Sequence, residues 1–120
     1  VKDGKRAVRL TLTGKEEQFM KQRLTRASMK SGERWKLSVW CRAQELVNSR
    51  IRVQLLTPSY RWENNRNFLS LDIPGGSWEY RQFEIEFTVP EKQENWEIWL
   101  GGKADSGIVW FDDLRLEKVR

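Results

Sequence analysis

The chain of 120 residues has no histidine, one cysteine and only three prolines. Without histidine, the usual catalytic triad and the commonest general base and metal ligand are ruled out. A lone Cys41 cannot close an internal disulfide, and no CxxC pair suggests a zinc or redox site. No apolar run approaches the ~18 residues that a membrane-crossing helix needs, so no membrane partner is expected. No glycine-rich phosphate loop follows a strand and opens a helix, which leaves nucleotide binding unsupported. Internal repeats and low-complexity tracts are also missing. The opening residues Val1-Lys2-Asp3-Gly4 show no secretory signal, and the expectation is a module excised or processed from a longer protein.

Aromatic rings are plentiful by contrast. Seven Trp, five Phe and two Tyr occur in a chain whose mean hydropathy is −0.74. The length fits one domain spanning 1–120 with one core. A core of that size does not need seven indoles, so some are expected to face solvent or a ligand. The net charge of +5 comes from 22 Lys and Arg against 17 Asp and Glu. These charges are scattered; even the densest group, Lys21, Arg23 and Arg26, is interrupted. A nucleic-acid partner is therefore not expected.

Hydrophobicity repeats with period two along most of the chain, and turn residues separate the repeats. That pattern predicts an all-β sandwich or barrel. Strands are expected over Arg6–Thr13, Arg34–Ala43, Arg50–Leu56, Asn67–Ile73 (a short edge strand), Tyr80–Val89, Trp96–Leu100 and from about Gly107 to Lys118. Phe19–Met29 is too irregular for one clean strand and suggests a bulge or bend. Lys30-Ser31-Gly32-Glu33 reads as a hairpin-like turn. Glu45–Ser49 reads as a connection, with a short helical reading of Ala43–Val47 open, and Gly101–Gly107 reads as a loop. Thr57–Asn67 is a polar loop carrying Tyr60 and Trp62, a normal place for function. Cys41 falls on the apolar side of its strand, so a buried, inert thiol is expected.

In the last strand, GIVWFDDLRL, simple alternation places Asp112 on the side of Leu114 and Leu116, with Asp113 on the other. A carboxylate on the apolar side is costly unless an amide cluster, an arginine or a cation such as calcium pairs with it.

Several motifs resemble a known family. Ser31-Gly32-Glu33-Arg34-Trp35-Lys36-Leu37-Ser38-Val39-Trp40, then Ser77-Trp78, Phe87-Thr88-Val89-Pro90 and Phe111-Asp112-Asp113-Leu114, are similar in order and spacing to jelly-roll carbohydrate-binding modules. These are the xylan- and β-glucan-binding modules of the galactose-binding-like superfold. The resemblance runs from Gly4 to Glu117 and implies a jelly roll of two antiparallel sheets, attached to a glycoside hydrolase in a secreted or cell-surface protein. The family's first N-terminal strand, with its Asn/Phe-Glu signature, has no counterpart here. The family often holds a structural calcium between that segment and the first aspartate of the terminal pair. Asp112 matches the latter position and is the expected metal ligand, while the N-terminal glutamate is lacking.

Sugar rings have apolar C–H faces and equatorial hydroxyls, so a binding surface needs flat aromatic platforms beside planar polar side chains. In the family, residues alternating with core positions line a cleft across one sheet. That implies Trp40 and Trp99 as platforms and Arg42, Arg52 and Gln54 as hydrogen-bonding groups, with Tyr60 and Trp62 as loop contacts. Gly101 falls where relatives often carry a second polar group. No enzyme is expected: Asp112 and Asp113 are read as projecting to opposite faces, and Glu84 with Glu86 on an open sheet lack the burial that raises an acid's pKa. The expected function is non-catalytic polysaccharide binding that targets an attached hydrolase. The alternative is a structural or protein-interaction spacer in which Trp40 and Trp99 pack against a neighbouring domain.

Overall fold

The computed structural model describes residues 8–14, 16–24, 29–56, 67–89 and 96–119. The elements within them are all strands: β1 (Val8–Leu12), β2 (Gln18–Leu24), β3 (Arg34–Val47), β4 (Arg50–Leu56), β5 (Asn67–Ile73), β6 (Gly76–Thr88), β7 (Trp96–Lys103) and β8 (Ser106–Lys118). They form two four-stranded antiparallel sheets, ordered β1-β8-β3-β6 and β2-β7-β4-β5. The all-β sandwich expected from the period-two pattern is present, and β5 is an edge strand as expected. Among the described residues no helix is long and apolar enough to cross a membrane.

Alternation explains the core. Leu37, Val39, Cys41 and Ala43 on β3 face inward, as do Ile51, Val53 and Leu55 on β4, and all are buried. Ile98 and Leu100 of β7 and Val109 and Phe111 of β8 close the same cluster. Each fully buried Val, Leu, Ile or Phe among them stabilises the fold by about 1.5–3 kcal/mol. The Cys41 thiol lies inside this layer with no exposure, and burial pushes its pKa up to about 12. The Lys30–Glu33 turn is tied down by its own last residue. Glu33 accepts from the Lys30 amide at 2.8 Å and from Trp35 Nε1 at 3.1 Å, and Lys118 Nζ lies 2.7 Å from its carboxylate.

Three local expectations are corrected. Ala43–Val47 is not helical, and the connection expected over Glu45–Ser49 is only Asn48-Ser49: β3 continues to Val47 through a register shift between Ala43 and Leu46. Glu45 takes φ 50° there and donates its amide to Ser77 Oγ at 2.8 Å, and Leu46 is buried again. The second correction is Gly101-Gly102-Lys103, which ends β7 instead of forming a loop. At Gly101 and Gly102 φ is 140° and 146°, and an added Cβ would lie 2.0 Å from the Gln18 carbonyl oxygen and 1.9 Å from that of Arg50. Two flanking strands approach so closely that only glycine fits.

The third correction concerns Asp112. A register shift in β8 lies between the pairs Ser38↔Arg115 and Trp40↔Asp112, and Asp113 within it has φ 52°. This bulge reverses the alternation. Asp112 therefore follows inward-facing Phe111 and shares the outward side with Trp40, while Leu116 stays opposite core residue Leu37. Simple alternation had placed Asp112 with Leu114 and Leu116.

Candidate functional site

The outward side of the β2-β7-β4-β5 sheet gathers three of the expected residues. On β4 the inward Ile51, Val53 and Leu55 leave Arg52, Gln54 and Leu56 outward; on β7 the buried Ile98 and Leu100 leave Glu97, Trp99 and Gly101 outward. Register then builds rows across the sheet. Lys21, Trp99, Gln54 and Ser70 form one row, and Phe19, Gly101, Arg52 and Asp72 form the next. Four strands span about 14 Å.

The rings on this face are oriented by neighbours. Trp99 Nε1 donates to Glu97 Oε1 at 2.9 Å, two residues back on the same strand. Phe19 meets Trp99 with ring centroids 5.5 Å apart, tilted by 53°. Lys21 Nζ stands 4.0 Å from the Trp99 ring centroid, and the Arg52 guanidinium carbon 5.0 Å from that of Phe19. Arg52 also pairs with Glu17 at 3.0 Å and donates to the Arg50 carbonyl at 3.2 Å. Gln54 is only 9% exposed, and Leu56, outside the core cluster, is 6% exposed. The outward side of this sheet thus buries an amide and a leucine, unlike a plain solvated face.

Trp40 and Arg42 are on the other sheet. They face outward from β3, so the structure does not bring them together with Trp99, Gln54 and Arg52. There the Arg42 guanidinium carbon lies 4.5 Å from the Trp110 ring centroid, and its Nε lies 3.5 Å from Glu79 Oε1. Trp40 sits between Asp112 and Gln82 in its row. Tyr60 and Trp62 lie outside the described residues. Phe19 and Lys21 were missed by sequence reasoning, because the irregular spacing after Phe19 hid the short alternation of β2. The signal was Phe19, Lys21 and Arg23 at period two.

Asp112 is 3% exposed, and its Oδ2 has no hydrogen-bond partner among the described residues. Burial and the nearby Asp112 charge raise the Tyr80 pKa, with burial the larger cause. The orphaned oxygen suits a cation as one ligand, whereas calcium takes six to eight oxygens. The described residues assemble no group of three or more acidic, cysteine or histidine ligands. Between the sheets, a recess of about 590 Å³ opens beside β2, lined by Met20, Ile98, Leu100, Phe111 and Leu114 among others. It is a gap at the edge of the sandwich that Asp112 and Asp113 also line, and it adjoins the outward aromatic rows at Lys21.

Comparison with known proteins places this geometry in a fold. No protein-family model matches the chain, and no curated protein matches it. Solved structures do. A family 4 carbohydrate-binding module aligns with TM-score 0.65 and 16% identity over 84% of this chain and 61% of that one. The enzymatically active domain of tailspike protein 4 of bacteriophage CBA120 aligns with TM-score 0.68 and 13% identity, over 94% of this chain and 15% of that one. A Clostridium thermocellum endo-1,4-β-D-xylanase, with family 22 carbohydrate-binding and family 10 hydrolase modules bound to xylohexaose, aligns with TM-score 0.55 and 11% identity. That alignment covers 95% of this chain and 25% of that one. The chain thus spans less than two thirds of each of these proteins, and the likeness is one of fold: the jelly-roll β-sandwich of carbohydrate-binding modules.

Proposed function

We propose that this chain binds a polysaccharide without chemically altering it, and that the outward side of the β2-β7-β4-β5 sheet is the binding surface. The observation that carries this reading is the juxtaposition of Trp99, Gln54, Arg52 and Phe19 on three neighbouring strands. Trp99 and Phe19 offer apolar ring surface for sugar C–H faces; Gln54, Arg52, Glu97 and Asp72 offer planar hydrogen-bonding groups. Xylan or β-glucan is the proposed class, supported by the motif resemblance and by a xylohexaose-bound protein among the fold neighbours. In the same proposal the chain is a secreted or cell-surface module that holds an attached glycoside hydrolase on its substrate, raising the local substrate concentration. A calcium at Asp112 would fix the β8 bulge from one carboxylate oxygen.

Affinity electrophoresis against a panel of soluble xylans and β-glucans tests the reading. Retarded migration should vanish in Trp99→Ala while the melting temperature holds. Unretarded migration on every polymer would defeat it and leave the spacer alternative.

A further inference from the structure

Resting on that reading, we infer that Lys21 selects the ligand: the site takes a glycan carrying an acidic sugar, with the anionic group directed toward β2. The Lys21 ammonium sits 4.0 Å above the centre of the Trp99 ring, on the surface where a sugar would stack. A neutral sugar has to displace that cation and offers it no charge in return. A carboxylate beside the stacked ring draws the ammonium off the indole and pairs with it.

The other charges on the face point to the same orientation. Arg52 is engaged by Glu17, and Glu97 accepts the Trp99 indole N–H. Lys21 forms no ion pair with a carboxylate among the described residues, and its ammonium stands over the Trp99 ring. Glu97 lies one row from Trp99 along β7, on the side away from Gly101, and repels an anion at that end, which leaves the Lys21 ammonium as the cation nearest the Trp99 ring. Lys21 is exposed on an edge strand, so its long side chain can swing without disturbing the sheet.

Glucuronoxylan and the same polymer after carboxyl reduction form the matched probe pair, measured by affinity electrophoresis and calorimetry. The native chain should hold glucuronoxylan more tightly, and the preference should shrink as salt rises. Lys21→Met should raise affinity for the reduced polymer about two- to five-fold, the worth of an exposed cation–π contact, and lose the preference. Lys36→Met, which removes one charge from the other sheet, should leave the preference intact and so exclude net charge as its source. A sulfated xylan bound as tightly as glucuronoxylan, with the same loss in Lys21→Met, supports an anion requirement wider than carboxylate. Equal affinity for both matched polymers in native and Lys21→Met chains, with binding still lost in Trp99→Ala, overturns the inference and leaves the proposed function standing. Binding unaffected by Trp99→Ala overturns both.

Discussion

The Arg52 guanidinium carbon stands 5.0 Å from the Phe19 ring centroid, although β7 separates their strands. Gly101 lies between them in the row and places no side chain there. Its φ of 140° and the 2.0 Å approach of the Gln18 carbonyl oxygen to an added Cβ explain why no larger residue fits. Gly101→Ala is therefore expected to cost about 2 kcal/mol or more through backbone strain and crowding, read as a lower denaturation midpoint. A midpoint equal to that of the native chain would refute the close-approach account.

The two outward faces should separate in binding. Trp99→Ala is expected to weaken glycan binding by about 2 kcal/mol, the scale of a truncated aromatic hot spot, or roughly thirtyfold. Trp40→Ala, on the opposite sheet, should leave that binding within twofold. Calorimetry on both variants against the same xylan decides it.

Acid stability should depend on Glu33. Its pKa falls from an ordinary 4.5 to about 2, chiefly through the Lys118 hydrogen bond, then the Lys30 amide and the Trp35 indole. A carboxylate with a depressed folded pKa contributes stability that is full above 4.5 and lost as pH falls toward 2. Glu33→Gln should lower the melting temperature at neutral pH and flatten its decline across that window, so that the two chains converge near pH 2. An unchanged slope would count against the Lys118–Glu33–Trp35 linkage.

Cys41 should be silent in the native state. With no exposure and a pKa pushed up to about 12, it offers almost no thiolate at neutral pH. A thiol reagent should label it only at the rate of unfolding, so rapid labelling of the folded chain would contradict its placement.

If Asp112 Oδ2 holds calcium, added calcium raises the melting temperature of the native chain and leaves Asp112→Asn unmoved. An identical calcium response in both would remove Asp112 from the ligand set.

Much of this fold was legible because the physics is local. Alternation with period two buries every second side chain, so the core positions of β3, β4 and β7 follow from spacing alone. The same parity set Arg52, Gln54 and Trp99 outward. Sequence could not say which outward faces meet. Trp40 and Trp99 are equally outward, yet strand order puts them on opposite sides of the sandwich. Asp112 shows the other limit: one extra residue at the Asp113 bulge reverses the side on which it stands, and no spacing rule anticipates that.

Composition and periodicity by themselves determined an all-β chain with more indoles than its core requires. Only the tertiary structure decided that Lys21, Trp99, Gln54 and Arg52 share one surface, and that Gly101-Gly102 is strand. Those outcomes depend on which strands hydrogen-bond together and how closely their backbones approach, quantities set by long-range pairing rather than by any residue's neighbours in sequence.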